Sequence, residues 1–524
     1  MAPKPRPHRT SAASLALSPA LIAIASVAFL LRAAVGRHGY SGRATPPLFG
    51  DLEAQRHWLE ITWHLPPSQW YHYDQKFWGL DYPPLTAFVS YVFGAIAHFI
   101  EPSWVALDKS RGNEDPSLIA YMRLSVLICD LLVYFPAALF FVRSLRLPWR
   151  SANITAWALI LSFPGLILID HGHFQYNLIM LGLTLASVAW MTTGHPLKAA
   201  FTFSLALMFK QMSLYFALPV FVYLLAQCWQ SNHGIRLFFQ LGVVVLATFA
   251  LHIYPFRYAL VLHDLVGSAT DHSMAGNRAD LGQLVHRIFP IARGLYEDKV
   301  ANVWCALSPV LKLRDRFALT TLLRMSLATT ILASLPSLIG LFRHPTRYTL
   351  LAALAAVSLA FFLFSFQVHE KSILLPDLPI LLLLVVDRIA DNPRWCVWAH
   401  VLNVSTFSMW PLLRRDGQAV PYFVLLALWN GGVWWKSRGT CAACPRTGGV
   451  VGMVYQLAVV AVYAAAAAIH IAEFAIAPPA RYPHLYVLAN QVLSCGVFLS
   501  AYAATTILAI SPPTESTKPK IKRA

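Results

Sequence analysis

Apolar runs recur from one end of this chain to the other, broken by shorter polar stretches. Each run is near the roughly 20 residues that cross a hydrocarbon core of about 30 Å. The pattern predicts an all-α, polytopic membrane protein. The first run, residues 15–35, follows a basic start carrying Lys4, Arg6 and Arg9. It is longer than a signal-peptide core and has no clear small-residue cleavage site, so it reads as a retained first span with residues 1–14 in the cytosol. Residues 36–117 then form a polar, Trp-rich section on the far side. Within it, the apolar run 85–100 is expected at the interface or as a re-entrant segment, because a crossing there would deliver the basic loop RSLRLPWRS to the wrong side. Further spans are expected at 118–142, 152–169, 178–191, 199–209, 213–229 and 235–255, then at 319–342, 348–366, 372–389, 396–413, 420–435, 450–470 and 485–510. A long far-side loop, residues 256–318, separates the group 118–255 from the group 319–510, and residues 511–524 form a second cytosolic tail. With the first run, hydropathy yields about fourteen spans, an even number that returns the C-terminus to the cytosol. The short runs around FKQMS have an alternative reading as one long helix, which would invert everything after it.

Loop charge tests this map. Arg343, Arg347, Lys436, Arg438, Arg446 and the tail residues Lys518, Lys520, Lys522 and Arg523 fall on the cytosolic side, whereas Arg414 and Arg415 do not. Only 12% of the 524 residues are charged and 57% are hydrophobic, against roughly 25% charged in an ordinary soluble domain. The net charge of +17 lies mostly between apolar runs, where it sets topology, so nucleic-acid binding is not expected. Cys129, Cys228, Cys396 and Cys495 sit in or beside apolar runs and read as buried thiols. CAAC at 441–444 has redox or zinc spacing without a second ligand pair, and no disulfide framework is implied.

On this map the far side collects the polar material: residues 51–117, DHGHFQYN at 170–177, the long loop, and VHEKS at 368–372. A transporter would place such residues near the midplane on broken helices of repeated halves. Here they gather at helix ends, which favours an enzyme working at one membrane surface.

Asp51, in GDLEAQRHWLEIT, suits either of two roles. It is a good N-cap for the amphipathic stretch that follows, although Ala54 three residues on gives no capping box. It equally suits a general base for a sugar hydroxyl. Asp81, in GLDYPPL, is a second carboxylate on the same side. His173, Gln175 and Asn177 supply donors for sugar or phosphate, or are solvated loop residues. His369 and Lys371 flank Glu370 at the end of an apolar span, where cations hold a lipid phosphate or snorkel to the interface. Trp58, Trp63, Trp70 and Trp78 read as interface anchors.

GDLEAQRHWLEIT, WGLDYPPLTA, HGHFQYN, FKQM and FQVHEKSILL resemble the dolichyl-phosphate-glucose-dependent glucosyltransferases of the endoplasmic reticulum. These belong to the lipid-phosphate-sugar-dependent glycosyltransferases with the GT-C fold. Two sister enzymes share the pattern. One adds the first glucose to Man9GlcNAc2-PP-dolichol and shows GD, EAQRHW and GLDYPPLTA, as this chain does; the second-glucose enzyme shows TDFEVHRNW and TLDYPPFFA. Leu52 departs from the aromatic usual there. The resemblance implies dolichyl phosphate glucose as donor, an α-1,3 bond made by inversion, and a multi-pass protein with a lumenal active site. By motif position Asp51 is the base, Asp81 orients acceptor or base, and His369 and Lys371 meet the leaving phosphate. Glu53, Arg56, His57, His173, Gln175, Asn177 and Glu370 are the remaining candidates for substrate contact. Neither a metal nor another cofactor is expected, since the first far-side section lacks a dense ligand set. Lys520 and Lys522 resemble a KxKxx endoplasmic reticulum retrieval signal. The rival from another class is a lipid-linked-sugar transporter.

Overall fold

The computed structural model describes residues 18–147, 150–266, 281–289, 300–366, 368–434 and 450–512, and among the described residues every regular element is a helix. The basic start, the CAAC stretch and the KIKRA tail lie outside the described residues. Proline sets several helix starts. Pro19, Pro84, Pro116 and Pro196 stand in the first turn of their helices, where a missing N–H costs no bond and the fixed φ already suits the helix.

Seven helices are long and apolar enough to cross a bilayer: Pro116–Ser144, Gln211–Gln230, Gly234–Phe256, Leu319–Arg343, Arg347–Phe364, Gly452–Ala475 and Leu485–Ile510. Ser151–Ser162 and Pro164–Phe174, bent by 42°, make an eighth if counted as one span. Shorter apolar helices are Pro19–Val35, Pro84–Ile100, Asn177–Thr192, Pro196–Phe209 and Ala419–Trp434. The chain is a multi-pass membrane protein; among the described residues seven helices, or eight with the bent pair, have the length of a full span, and the remaining apolar helices are shorter. At about 1.5 Å per residue, a helix of 14 to 17 residues reaches only about 21–26 Å, short of the hydrocarbon core.

Arg347–Phe364 is apolar on every face and almost wholly buried, as a central helix must be. Leu319–Arg343, Leu374–Ile389 and Leu485–Ile510 pack around it. Gly234–Phe256 and Gly452–Ala475 stand at the periphery, with Val243, Leu246, Leu251, Val454 and Leu457 exposed as a lipid-facing surface would be. Around FKQMS there are two helices, Pro196–Phe209 and Gln211–Gln230, parted by Lys210 in extended conformation.

The far-side material is more helical than its polarity suggested. Helix Gly234–Val266 runs through Pro255 into the expected long loop, which also contains Leu281–Ile288, Val303–Leu311 and Leu313–Arg316; residues 267–280 and 290–299 lie outside the described residues. Pro84–Ile100 packs along Gly50–His64 and turns Val92 and Phe99 outward. Trp58 and Trp70 are not interface anchors. Both are buried with Tyr71, Leu80 and Phe256 in a second apolar cluster, where Trp58 Nε1 donates to Trp78 O at 2.9 Å and Trp70 Nε1 to Leu65 O at 2.8 Å. Cys129, Cys228 and Cys495 are buried free thiols, whereas Cys396 is disulfide-bonded, against the expectation for it.

Candidate active site

The helix Gly50–His64 begins after a turn in which Phe49 (φ 57°) and Gly50 (φ 70°) are both left-handed. A Cβ on Gly50 would stand 2.6 Å from the Ser41 carbonyl oxygen, so this turn requires glycine. Ser41 is held in turn by its N–H, which donates to His173 O at 3.1 Å. Phe49 occupies the N-cap position, Asp51 lies already inside the first turn, and no side chain caps the helix. Asp51 is therefore not a cap.

Its carboxylate is the meeting point of three distant segments. Asp51 Oδ2 accepts from His173 Nε2 at 2.8 Å, from Gln175 Nε2 at 2.6 Å and from Lys371 Nζ. All three converge on Oδ2. His173 is buried, while Asp51 and Lys371 each keep 21% of their side-chain surface exposed, so the pair is shielded but reachable. Burial alone would raise the Asp51 carboxyl; the ammonium of Lys371 and the His173 ring outweigh it and hold the group well below the usual carboxylate range.

Behind this group lies a residue to which the sequence had given no role. Lys210 is buried, and its Nζ donates to Gln175 Oε1 at 3.1 Å and to Asn177 Oδ1 at 2.7 Å, while it sits 4.6 Å over the Tyr82 ring. Asn177 Nδ2 passes the chain on to Asp170 Oδ1 at 2.8 Å. Asn177 thus supports Gln175 through Lys210 and does not bond Asp51 itself. Asp81 is half-buried, with its backbone carbonyl accepting from Gln211 Nε2 at 3.3 Å, and its charge acts on Lys210 together with those of Asp51 and Asp170. The signal available was an isolated lysine between two apolar runs, which by default marks function.

Glu53, Arg56 and His57, expected at the substrate, point elsewhere. Arg56 grips Glu53 with Nε (2.7 Å) and Nη2 (2.6 Å), and reaches Glu60 (2.8 Å) and Ser110 Oγ (2.6 Å) with Nη1; His57 Nδ1 pairs with Glu60. Glu53, Arg56, His57 and Glu60 are all buried. Burial pushes Glu60 up, but the bonds from His57 and Arg56 bring it down to about 2. Arg56 and Glu60 fasten the helix to the segment around Trp104 and Ser110.

His369 and Glu370 enter the short turn Glu370–Ile373 and are half-buried; Lys371, one residue on, is the member of this stretch that touches Asp51. A further carboxylate was missed. Asp416 Oδ2 lies 2.6 Å from His173 Nδ1, so His173 stands between two aspartates. That contact puts Arg414 and Arg415, which broke the loop-charge pattern, at the same end as Asp51, where Arg414 is neutralised by Glu473 and stacks on Phe474.

The family model for the ALG6, ALG8 glycosyltransferases matches residues 28–504, a range that holds every residue of this constellation. The chain belongs to that family. It is 42% identical over 471 residues, 89% of its own length and 87% of the relative's, to a Schizosaccharomyces pombe protein named as a probable dolichyl pyrophosphate Man9GlcNAc2 alpha-1,3-glucosyltransferase. Dolichyl pyrophosphate Man9GlcNAc2 alpha-1,3-glucosyltransferase of Saccharomyces cerevisiae is 41% identical, with 88% of this chain and 86% of the relative covered. The protein of the same name from Gallus gallus is 42% identical over 76% of this chain and 75% of its own.

Proposed function

We propose that the protein transfers glucose from dolichyl phosphate glucose to Man9GlcNAc2-PP-dolichol, making the first α-1,3-glucosidic bond with inversion on the lumenal side of the endoplasmic reticulum membrane. The observation that carries this reading is Asp51, a partly exposed carboxylate kept ionised, with one oxygen fixed by three donors. The acceptor in the relatives' names supports the substrate, and the pathway that those names imply supports the compartment.

In this reaction a mannose hydroxyl of the acceptor attacks the anomeric carbon of the donor from the face opposite its phosphate. The new carbon–oxygen bond forms as the bond from the anomeric carbon to the phosphate oxygen breaks. The hydroxyl proton passes to Asp51 Oδ1, and dolichyl phosphate leaves with the bonding electrons. A carboxylate held this low is a weak base toward a free alcohol. It suffices because the proton moves late, when the oxygen is already sharing electrons with carbon and has become acidic. What the low value secures is a carboxylate that is ionised before attack begins. The leaving phosphate is a stable anion and needs no acid; Lys371 holds Asp51 on the side of attack, and His369 is the candidate cation for the phosphate. Asp81, in the field of Lys210, orients acceptor or base.

Purified protein supplied with dolichyl phosphate glucose and either Man9GlcNAc2 or Glc1Man9GlcNAc2 lipid tests the reading through product mass and linkage. One α-1,3-linked glucose on the unglucosylated acceptor is expected. Product from the monoglucosylated lipid alone would assign the second-glucose reaction, and movement of donor lipid across a vesicle without product would assign a transporter.

A further inference from the structure

Asp416 comes from a part of the chain that carried no expected site residue, yet its geometry is tightly set. It ends the helix Trp410–Arg415. Gly417 N donates to Arg414 O at 3.1 Å and Gln418 N to Leu413 O at 2.8 Å, the paired bonds of a Schellman turn with Gly417 at φ 73°. Gln418 Nε2 then donates to Gly39 O at 2.5 Å, and a Cβ on Gly39 would overlap the Asp416 carbonyl. A carboxylate at a helix C-terminus is opposed by the helix dipole, so it does not serve that helix. Instead it faces His173 Nδ1, with His173 and Asp416 only 3% and 2% exposed.

We infer that Asp416 is a positioning residue for the glucosyl transfer, acting on Asp51 through His173; this rests on the reading of Asp51 as base. When both aspartates are ionised, both ring nitrogens must donate, so the ring is an imidazolium with its Nε2–H fixed on Asp51 Oδ2. Asp416 stabilises that charge and fixes the ring plane. The fixed Nε2–H bond in turn sets which carboxylate oxygen faces the acceptor. Lys371 also faces His173, its Nζ 3.4 Å from Nε2, while Arg123, which bonds Gly172 O at 3.1 Å, lies in the field of Asp416.

Asp416→Asn in the full-length enzyme is the test. We expect kcat to fall on the order of 10²-fold, comparable with losing one fixed donor at a reacting centre, with both KM values within about threefold. The imidazolium then loses its proton more readily, so the basic limb of the kcat profile moves to lower pH. In a His173→Ala background the same substitution adds no further loss. An unchanged kcat, a rise in KM alone, or an equal loss in both backgrounds would overturn the inference. If Asp416→Asn does not fold, Asp416→Glu decides: it must keep the basic limb in place, and a limb displaced to lower pH refutes the role. Asp51→Asn assayed alongside separates the two readings. An active Asp51→Asn removes the base assignment itself, whereas an inert Asp51→Asn beside a fully active Asp416→Asn removes only the role of Asp416.

Discussion

The two sides of the helix Gly50–His64 carry similar residues and have opposite fates. On one side, Asp51 keeps part of its surface and collects donors from segments more than a hundred residues away. On the other, Glu53, Arg56, His57 and Glu60 are sealed in and bond mainly to one another. Acidic and basic residues close together in an apolar chain are thus of two kinds. A network sealed from solvent serves as a fastening, whereas a carboxylate that keeps part of its surface is the candidate for a site.

That contrast is broken most directly at Asp51. Asp51→Asn should leave folding and donor binding intact and lower turnover roughly 10³-fold, as loss of a general base does; product formation near wild type would return the residue to a structural role. Arg56→Met is the counterpart on the sealed side. It strands Glu53 and Glu60 without their cation, so thermal unfolding should show a loss of about 3–5 kcal/mol while turnover per folded molecule is retained. Glu60, held at about 2, contributes stability that is present above the ordinary glutamate range and lost as pH falls toward that value. Removing Arg56 weakens this linkage, so the variant should lose less stability than wild type on acidification below about pH 5.

Lys371→Met probes the donors with a smaller effect, about tenfold or somewhat more on turnover near neutrality. Without the ammonium the Asp51 carboxyl rises toward its ordinary range, so the acid limb of the rate profile should move to higher pH; a stationary limb would mean that Lys371 does not set the base. The smallest effect is expected from chelator. Asp51 Oδ2 is taken by a lysine, an amide and an imidazole, none of which would share that oxygen with a metal. EDTA should therefore leave the rate unchanged, and restoration of a chelated enzyme by Mn²⁺ or Mg²⁺ would contradict this.

Much of this was legible beforehand, and the misses have physical causes. Hydropathy marked the apolar helices but does not by itself separate a full crossing from a shorter helix, because a run of 14 residues and a run of 25 look alike until their lengths are compared with the bilayer. Asp51, His173, Gln175 and Lys371 could be nominated from separate motifs, since each is a polar interruption next to an apolar run. Glu53, Arg56 and His57 were grouped with Asp51 although the helix period puts them on another face of the same helix. At about 100° per residue they lie between roughly 140° and 240° around the axis from Asp51, and their spacings of three and four are those of a self-contained ion network. Asp416 was hidden by its neighbours. Two arginines before it drew attention to topology, and its partner His173 is 243 residues away, beyond any local pattern.

The dispersal of the donors also has a consequence for how the protein is made. Asp51 leaves the ribosome early, Gln175 and His173 much later, and Lys371 and Asp416 only when most of the helices have been synthesised. A chain still being threaded into the bilayer holds the Asp51 carboxylate before the groups that bond it. The constellation is therefore complete only at the end of biogenesis, and a product truncated before residue 371 lacks the lysine that bonds Asp51 however well its first helices have inserted.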